Sequence, residues 1–442
     1  MNIQLSDHFN YKKLLRYTLP SIAMMIFTSV YGVVDGFFVS NFVGKTPFAA
    51  VNFIYPFLMI LGSVGFMFGA GGSALVSKTM GEGDKEKANR QFSLLVYATI
   101  LVGVLLAAIG IVSIRRVAIL LGAEGAMIED CVVYGRIILF ALPAFMLQFE
   151  FQSFFSTAEK PQLGLYVTIA AGVTNMVLDA VFIAVFRWGV IGAAAATALS
   201  QVVGGVLPLF YFARKNSSSL QLGKTKFDGR ALWQTSFNGF SELVSNISSA
   251  VVGMVYNAQL MKYAGENGVA AYGVLMYVSF IFFAAYIGYS IGTAPVVGYH
   301  YGAENQRELK NVFRKSLVII MCFSVVMVLL SLGLSYPLAK LYVGYDQELV
   351  DLTVRAFTIF SFGFLFSGFG IYSSSFFTAL NNGLISAIIS FLRTLVFQVG
   401  AILLLPLWFD VDGIWYSIIV AEVLSTIVSV VCLFAFQKKY QY

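Results

Sequence analysis

Six charged residues stand inside stretches of this 442-residue chain that are otherwise apolar: Asp35, Glu150, Asp179, Glu242, Glu422 and Arg393. If those stretches cross a membrane, each charge costs at least ~2.5–3.5 kcal/mol to insert and needs a partner or a function. Asp35 and Asp179 have the company that an ion site requires. Asn175 precedes Asp179 by one helical turn, so both point from one helix face. Asp35, Asp179 and Thr197 each lie a few residues from the same end of their stretches, within roughly 10 Å of one membrane face at about 1.5 Å per residue. Two carboxylates, an amide and a hydroxyl form an all-oxygen set suited to Na⁺, or to a proton shared between two acids that do not both stay ionised cheaply in a dry place.

The composition demands the membrane that this reasoning assumed. Hydrophobic residues reach 59% and charged ones 11%, against about 45–50% and about 25% in soluble domains. Too few charges remain to cover a water-facing surface. Aromatics at 16%, nine prolines and three cysteines exclude disordered, collagen-like and disulfide-framework chains. Cys131, Cys322 and Cys432 lack ligand spacing, and with His8 and His300 as the two histidines no metal site is expected beyond Na⁺ at the acids. Lys12, Lys13 and Arg16 precede an apolar run too long for a signal peptide and without a cleavage site, which reads as a first span.

Twelve spans follow, at about 15–40, 48–77, 91–113, 132–157, 162–186, 190–213, 232–261, 268–298, 312–334, 352–379, 384–408 and 413–436. An even number puts both termini on one side. The loops on that side hold 19 of the Lys and Arg residues, against eight on the other, so the positive-inside rule places both termini in the cytoplasm of a multi-pass protein of the cytoplasmic (inner) membrane. The net charge of +6 is thus an orientation signal and no sign of nucleic acid. The basic segment 214–230 reads as a linker.

Sliding the chain by 221 residues aligns it with itself. Gly71 meets Gly292, Gly81 meets Gly302, Phe92 meets Phe313, Ala49-Ala50 meets Ala270-Ala271, Thr157-Ala158 meets Thr378-Ala379, and Gly192 meets Gly413. The expected fold is an all-α polytopic membrane protein of twelve helices in two parallel six-helix lobes: residues 1–213, a linker at 214–231, and residues 232–442. Transporters built on such repeats bind substrate between the lobes. The same shift takes Asp35 to Tyr256, Asn175 to Val396, Asp179 to Gly400 and Thr197 to Ile418. A feature that served only the fold would recur, and none of the four does.

Among the other polar residues, Pro20 removes a backbone hydrogen bond in helix 1 and is a candidate hinge. Glu242 opens helix 7 with Asn246 one turn on; it reads as a second proton or cationic-substrate site, or as an acid complementing the helix dipole. Glu150 is a further secondary candidate, and Arg393 is expected to pair with Glu150 or Glu422. The rings from Tyr277 to Tyr289 in helix 8 offer either a drug pocket or packing. No nucleotide-binding or nucleophile motif is present, so neither an enzyme nor an ATP-driven pump is expected, and no cofactor.

The stretch LPSIAMMIFTSVYGVVD at 19–35, the loop SKTMGEGDKEKANRQF with its echo GYHYGAENQRELKNVF, and TNMVLD at 174–179 resemble the multidrug and toxic compound extrusion (MATE) family over nearly the whole chain. The resemblance implies a cation or proton site in the N-terminal lobe, with Asp35, Asn175, Asp179 and Thr197 at matching positions and Pro20 at the bend of helix 1. It departs in the other lobe, where helix 10 carries no acid between Arg355 and Thr378. The expectation is a monomeric secondary antiporter exporting small organic, cationic, amphipathic compounds for H⁺ or Na⁺. A lipid-linked saccharide flippase of the related superfamily and a sugar-type facilitator stand as alternatives; the first calls for basic residues in the cavity, the second for a GxxxDRxGRR-like loop where this chain has GEGDKEKANR.

Overall fold

The computed structural model describes residues 3–442, the side chain of Lys45 excepted. Among these residues the chain is helical apart from short turns and a linker. The first six helices are α1 (Tyr11–Phe42), α2 (Lys45–Gly81), α3 (Lys85–Leu121), α4 (Ala126–Phe140 with Leu142–Thr157), α5 (Pro161–Asp179 with a π-helical turn Ala180–Val185) and α6 (Gly189–Ala213). The continuous run Gly229–Gly302 is two helices, α7 at 229–264 and α8 at 266–302, because Gly265 takes φ 62° and ψ −153° and turns the chain back. Then come α9 (Gln306–Val343), α10 (Gln347–Ser361 with Phe364–Ala379), α11 (Gly383–Phe391, a π turn Leu392–Phe397, and Gln398–Leu404) and α12 (Pro406–Tyr440).

The helices overrun the apolar spans at their termini-side ends. α3 starts at Lys85, where a hydropathy reading starts it at 91, because Asp84 accepts from the backbone N–H of Lys87 and caps it. Asn305 caps α9 through Glu308 and Asp228 caps α7 through Arg230 and Ala231 in the same way. The linker's helical boundary therefore falls at Gly229. Two sharp bends lie where straight spans were expected, 58° within α4 and 48° within α10. Pro143 is the second residue of the second α4 segment, where it lacks an N–H for the preceding turn, and Gly363 stands at the break in α10. Pro20, by contrast, lies buried inside an uninterrupted α1.

The 221-residue repeat is written in the backbone as well. Positive φ recurs at Gly44 and Gly265, at Gly83 and Glu304, and at Gly189 and Asp410. The α4 and α10 breaks, at Ala141 and Phe362, obey the same offset. Each lobe is thus the same six-helix device built from divergent side chains. Large apolar side chains such as Leu120 (85% exposed), Val112 (83%) and Phe434 (73%) cover the outside, where lipid is the solvent.

The lobes touch at the end that carries both termini. A Cβ at Gly71 of α2 would meet the Thr235 carbonyl and the backbone of Gly239 on α7, and one at Gly302 of α8 would meet Lys78 of α2. Across the pseudo-two-fold axis, Gly292 of α8 approaches Thr18 of α1. Asn238 Nδ2 donates to the Thr378 carbonyl (2.8 Å) within the second lobe, while Asn381 Nδ2 crosses to the Ala74 carbonyl (3.2 Å). Toward the other end the lobes part: Gly32 and Gly36 on α1, Gly253 on α7 and Gly273 on α8 have open space where a Cβ would be.

Candidate functional site

Close approach of α1 and α5 builds the site. Gly172 of α5 has Phe27 and Tyr31 of α1 against it, so closely that a Cβ would fall 2.5 Å from the Phe27 ring. One turn and two turns further along α5 come Asn175 and Asp179, both buried. Asp179 is the last α-helical residue before the π turn, a local distortion that re-aims side chains and recurs at functional sites. Asp35 from α1 faces Asp179, Asn175 and Thr197, the last supplied by α6. The structure therefore brings together all four residues singled out from the sequence.

Their hydrogen bonding is incomplete. Asp35 Oδ1, Asn175 Oδ1, both carboxylate oxygens of Asp179 and Thr197 Oγ1 are buried with no hydrogen-bond partner. Buried polar atoms in folded proteins are nearly always paired, so five unpaired oxygens brought together by three helices call for an explanation, and an all-oxygen set of this kind can hold a cation or protons. The equivalent place in the second lobe is different. Tyr256 stands where Asp35 would, buried, stacked on Tyr272 at 4.7 Å, its hydroxyl 2.8 Å from Ser417 Oγ and 3.4 Å from Gln398 Nε2. Each lobe has this crossing, and one of them leaves its oxygens unsatisfied.

Asp35, Asn175 and Thr197 line a cavity of about 290 Å³, with Asp179 behind them. Tyr31 and Tyr55, with Gln148 and Gln201, add polar groups to its wall, and Phe66, Phe145 and Phe149 add rings. Buried Tyr134 of α4 reaches the same cluster from behind, beside Thr197. These aromatic and amide residues were not visible as site residues in the sequence. Tyrosines and glutamines are common in apolar helices, and no spacing rule links α2 and α4 to α1.

Glu242 and Asn246 line the same cavity from α7, so the opposite lobe supplies part of its wall. Since α7 starts at Gly229, Glu242 lies more than three turns into the helix; it does not open it, and a helix-dipole role at the N-terminus falls away. Asn246 Nδ2 donates back to the Glu242 carbonyl (2.8 Å). Glu150 is fully buried beside Thr99 with both oxygens unpaired, away from the cavity wall. Arg393 is bound bidentately by Glu422 (2.9 and 2.8 Å), both largely buried, a structural ion pair inside the second lobe. In α8 the rings do not line this cavity. Tyr286 bonds Ser324 and the Phe364 carbonyl, Tyr289 bonds Ser316, and Ile287 is the α8 residue that reaches the cavity.

Two six-helix lobes that share one backbone pattern, with a largely apolar cavity between them whose wall carries carboxylates, have the plan of an integral membrane transporter. The MatE family model matches residues 20–181 and 243–403, once in each lobe, and the chain belongs to that family of transporters. Among curated relatives, it is 22% identical to the multidrug export protein MepA of Staphylococcus saprophyticus subsp. saprophyticus, over 96% of this chain and 93% of that one. It is 22% identical to MepA of Staphylococcus haemolyticus, over 97% and 94%. Among solved structures, it superposes on the outward-facing conformation of a multidrug resistance MATE family transporter of the MOP superfamily with a TM-score of 0.93 at 22% identity, over 100% of this chain and 98% of that one. A MATE crystal structure in the straight conformation gives 0.90 at 22% identity, over 98% and 97%.

Proposed function

We propose that this chain is a secondary active antiporter that exports organic, cationic, amphipathic compounds in exchange for H⁺ or Na⁺ bound at Asp35, Asn175, Asp179 and Thr197. The single observation that carries the reading is the set of orphaned oxygens on the wall of an inter-lobe cavity, absent from the equivalent crossing of the other lobe. The names of the relatives, multidrug export proteins, agree with it. In this reading residues 1–213 and 232–442 are the two lobes of a monomer, both termini are cytoplasmic, and the cavity opens outward.

Chemically, Asp35 and Glu242 offer carboxylates to a cation while the surrounding rings take its apolar body. An incoming ion satisfies Asp35 and Asp179, removes the charge that held the substrate, and frees it to leave. Pro20 lies about 22 Å along α1 from Asp35, at about 1.5 Å per residue over the intervening turns, and is the hinge about which the outer part of α1 shifts as the site fills. Glu150, off the wall, serves as a secondary proton site. Coupling requires that the ion bind the two orientations of the lobes unequally. A flippase would need basic groups in the cavity; none of its lining residues is basic among those described, and Arg393 is held by Glu422.

The test uses vesicles with an imposed pH or Na⁺ gradient and a fluorescent lipophilic cation. Wild type is expected to move the cation against its gradient, and Asp35→Asn and Asp179→Asn to lose most of that transport. Undiminished gradient-driven transport in both variants would sink the site. Transport driven by ΔpH in Na⁺-free medium selects H⁺, and transport that needs Na⁺ selects Na⁺.

A further inference from the structure

We propose that residues 5–9 form a strap that ties the termini-side ends of the two lobes together and must release one lobe before that end can open. The inference rests on the alternating-access reading above but not on its ion site. Leu5 and Phe9 are fully buried. The Leu5 N–H donates to Glu159 Oε1 (2.7 Å) at the α4–α5 turn, in the first lobe. Four residues later the strap is gripped by α9 of the second lobe. The Phe9 N–H donates to Glu308 Oε1 (2.9 Å), His8 Nδ1 lies 2.7 Å from Glu308 Oε2, and the Phe9 carbonyl accepts from Asn311 Nδ2 (2.9 Å) and Lys315 Nζ (2.7 Å). Asp7 folds the strap on itself, accepting from the Gln4 N–H (3.0 Å) and pairing with Lys13 (2.7 Å).

The repeat shows that this arrangement is not part of the shared scaffold. Shifted by 221, the gripping residues Glu308, Asn311 and Lys315 correspond to Lys87, Arg90 and Leu94, and Glu159 corresponds to Leu380. The strap itself corresponds to residues 226–230, the end of the linker and the start of α7, where Phe227 is 84% exposed. The linker instead lies on its own lobe, its Gln221 and Gly223 N–H groups bonded to Asn89 and Ser93 of α3. A single strap, held on both sides of the seam by charged acceptors and donors, has no counterpart that would make it a folding element common to both lobes. Opening this end separates the α4–α5 turn from the start of α9, and residues 5–9, which reach at most about 14 Å when extended, must let go of one of them once the gap exceeds that span.

Inter-lobe distance on the termini side reports the strap directly. Spin labels at Lys85→Cys and Lys438→Cys, in a background with the three native cysteines changed to serine, are measured by double electron–electron resonance on the full chain in lipid nanodiscs, with no ion gradient and no substrate. Wild type is expected to show mainly the short distance. Glu308→Ala is expected to raise the ratio of long to short at least tenfold, with Leu5→Ala, which removes a buried side chain, His8→Ala, which removes the Glu308 contact, and Asn311→Ala, which removes its bonds to the Phe9 carbonyl and Glu308, shifting it less in the same direction. Lys310→Gln, exposed on α9, serves as the unaffected comparison. Distance distributions unchanged in Glu308→Ala, or in the three milder variants should Glu308→Ala not fold, would overturn the strap. A wild type that moves no cation in vesicles while Glu308→Ala still opens this end would leave the strap standing and remove the antiport reading.

Discussion

At the scale of single residues, satisfaction of hydrogen bonds separates structure from site. Arg393 and Glu422 satisfy one another, so Glu422→Gln strands a buried guanidinium and is expected to cost about 3–5 kcal/mol, whereas Arg393→Met with Glu422→Leu together is expected to cost far less. Thermal unfolding in detergent compares them. Glu159 is a second case: burial pushes its carboxyl above the usual range, and the Leu5 N–H pulls it back only in part. Its charged form is therefore a cost above the raised value, a cost that fades as pH falls toward the ordinary carboxylate range. Glu159→Gln keeps an acceptor for Leu5 without the charge and is expected to melt no lower than wild type at pH 8, with wild type gaining on it toward pH 5. Glu159→Leu leaves that N–H unpaired and is expected to lose about 1–3 kcal/mol. Asp35, Asn175, Asp179 and Thr197 could be grouped from the sequence because they are polar residues at one depth in apolar spans and the repeat does not reproduce them. The sequence could not reveal Tyr134 or Gln148, whose place beside the acids depends on how α4 packs, and it placed Glu242 at a helix start because hydropathy does not see the capped first turns of α7.

At the scale of elements, α2 joins its own lobe to the second at the termini-side end. Its glycines let backbones cross where a side chain would collide, at Gly71 against α7 and at Gly81 against Tyr299 of α8 and Ala303 just beyond it. Gly81→Leu puts a side chain into that crossing. Overpacking of this kind costs about 1–3 kcal/mol, and it is expected to weaken the closed end without touching the cavity. Accessibility of a cysteine placed at Ser77, buried under Gly298, should rise in that variant and stay low in wild type. The glycine pairs were legible as repeats, but their function as crossings was not. The bends of α4 and α10 were likewise missed, although Pro143 carried a signal that the unbroken apolar run around it concealed.

At the scale of the whole molecule, two copies of one six-helix unit meet at the termini-side end and part at the other, and the copies have diverged in the side chains at equivalent helix crossings. One keeps a cluster of unpaired oxygens; the other fills that place with Tyr256, Ser417 and Gln398 bonded among themselves. Twelve spans, their parallel repeat and the shared orientation of the lobes were all readable from apolar length and a constant offset. The closure of the lobes was not, because it depends on contacts such as Leu5 with Glu159 and Phe9 with Glu308, which lie 154 and 299 residues apart in sequence. The central claim is that coupling ion and substrate compete for one cavity. It is tested most directly by adding a lipophilic cation to purified protein in weakly buffered solution and measuring the H⁺ or Na⁺ set free. Wild type should release the ion on binding the cation, and Asp35→Asn and Asp179→Asn should release much less. Binding by wild type with no ion released, or equal release from both variants, would contradict the account.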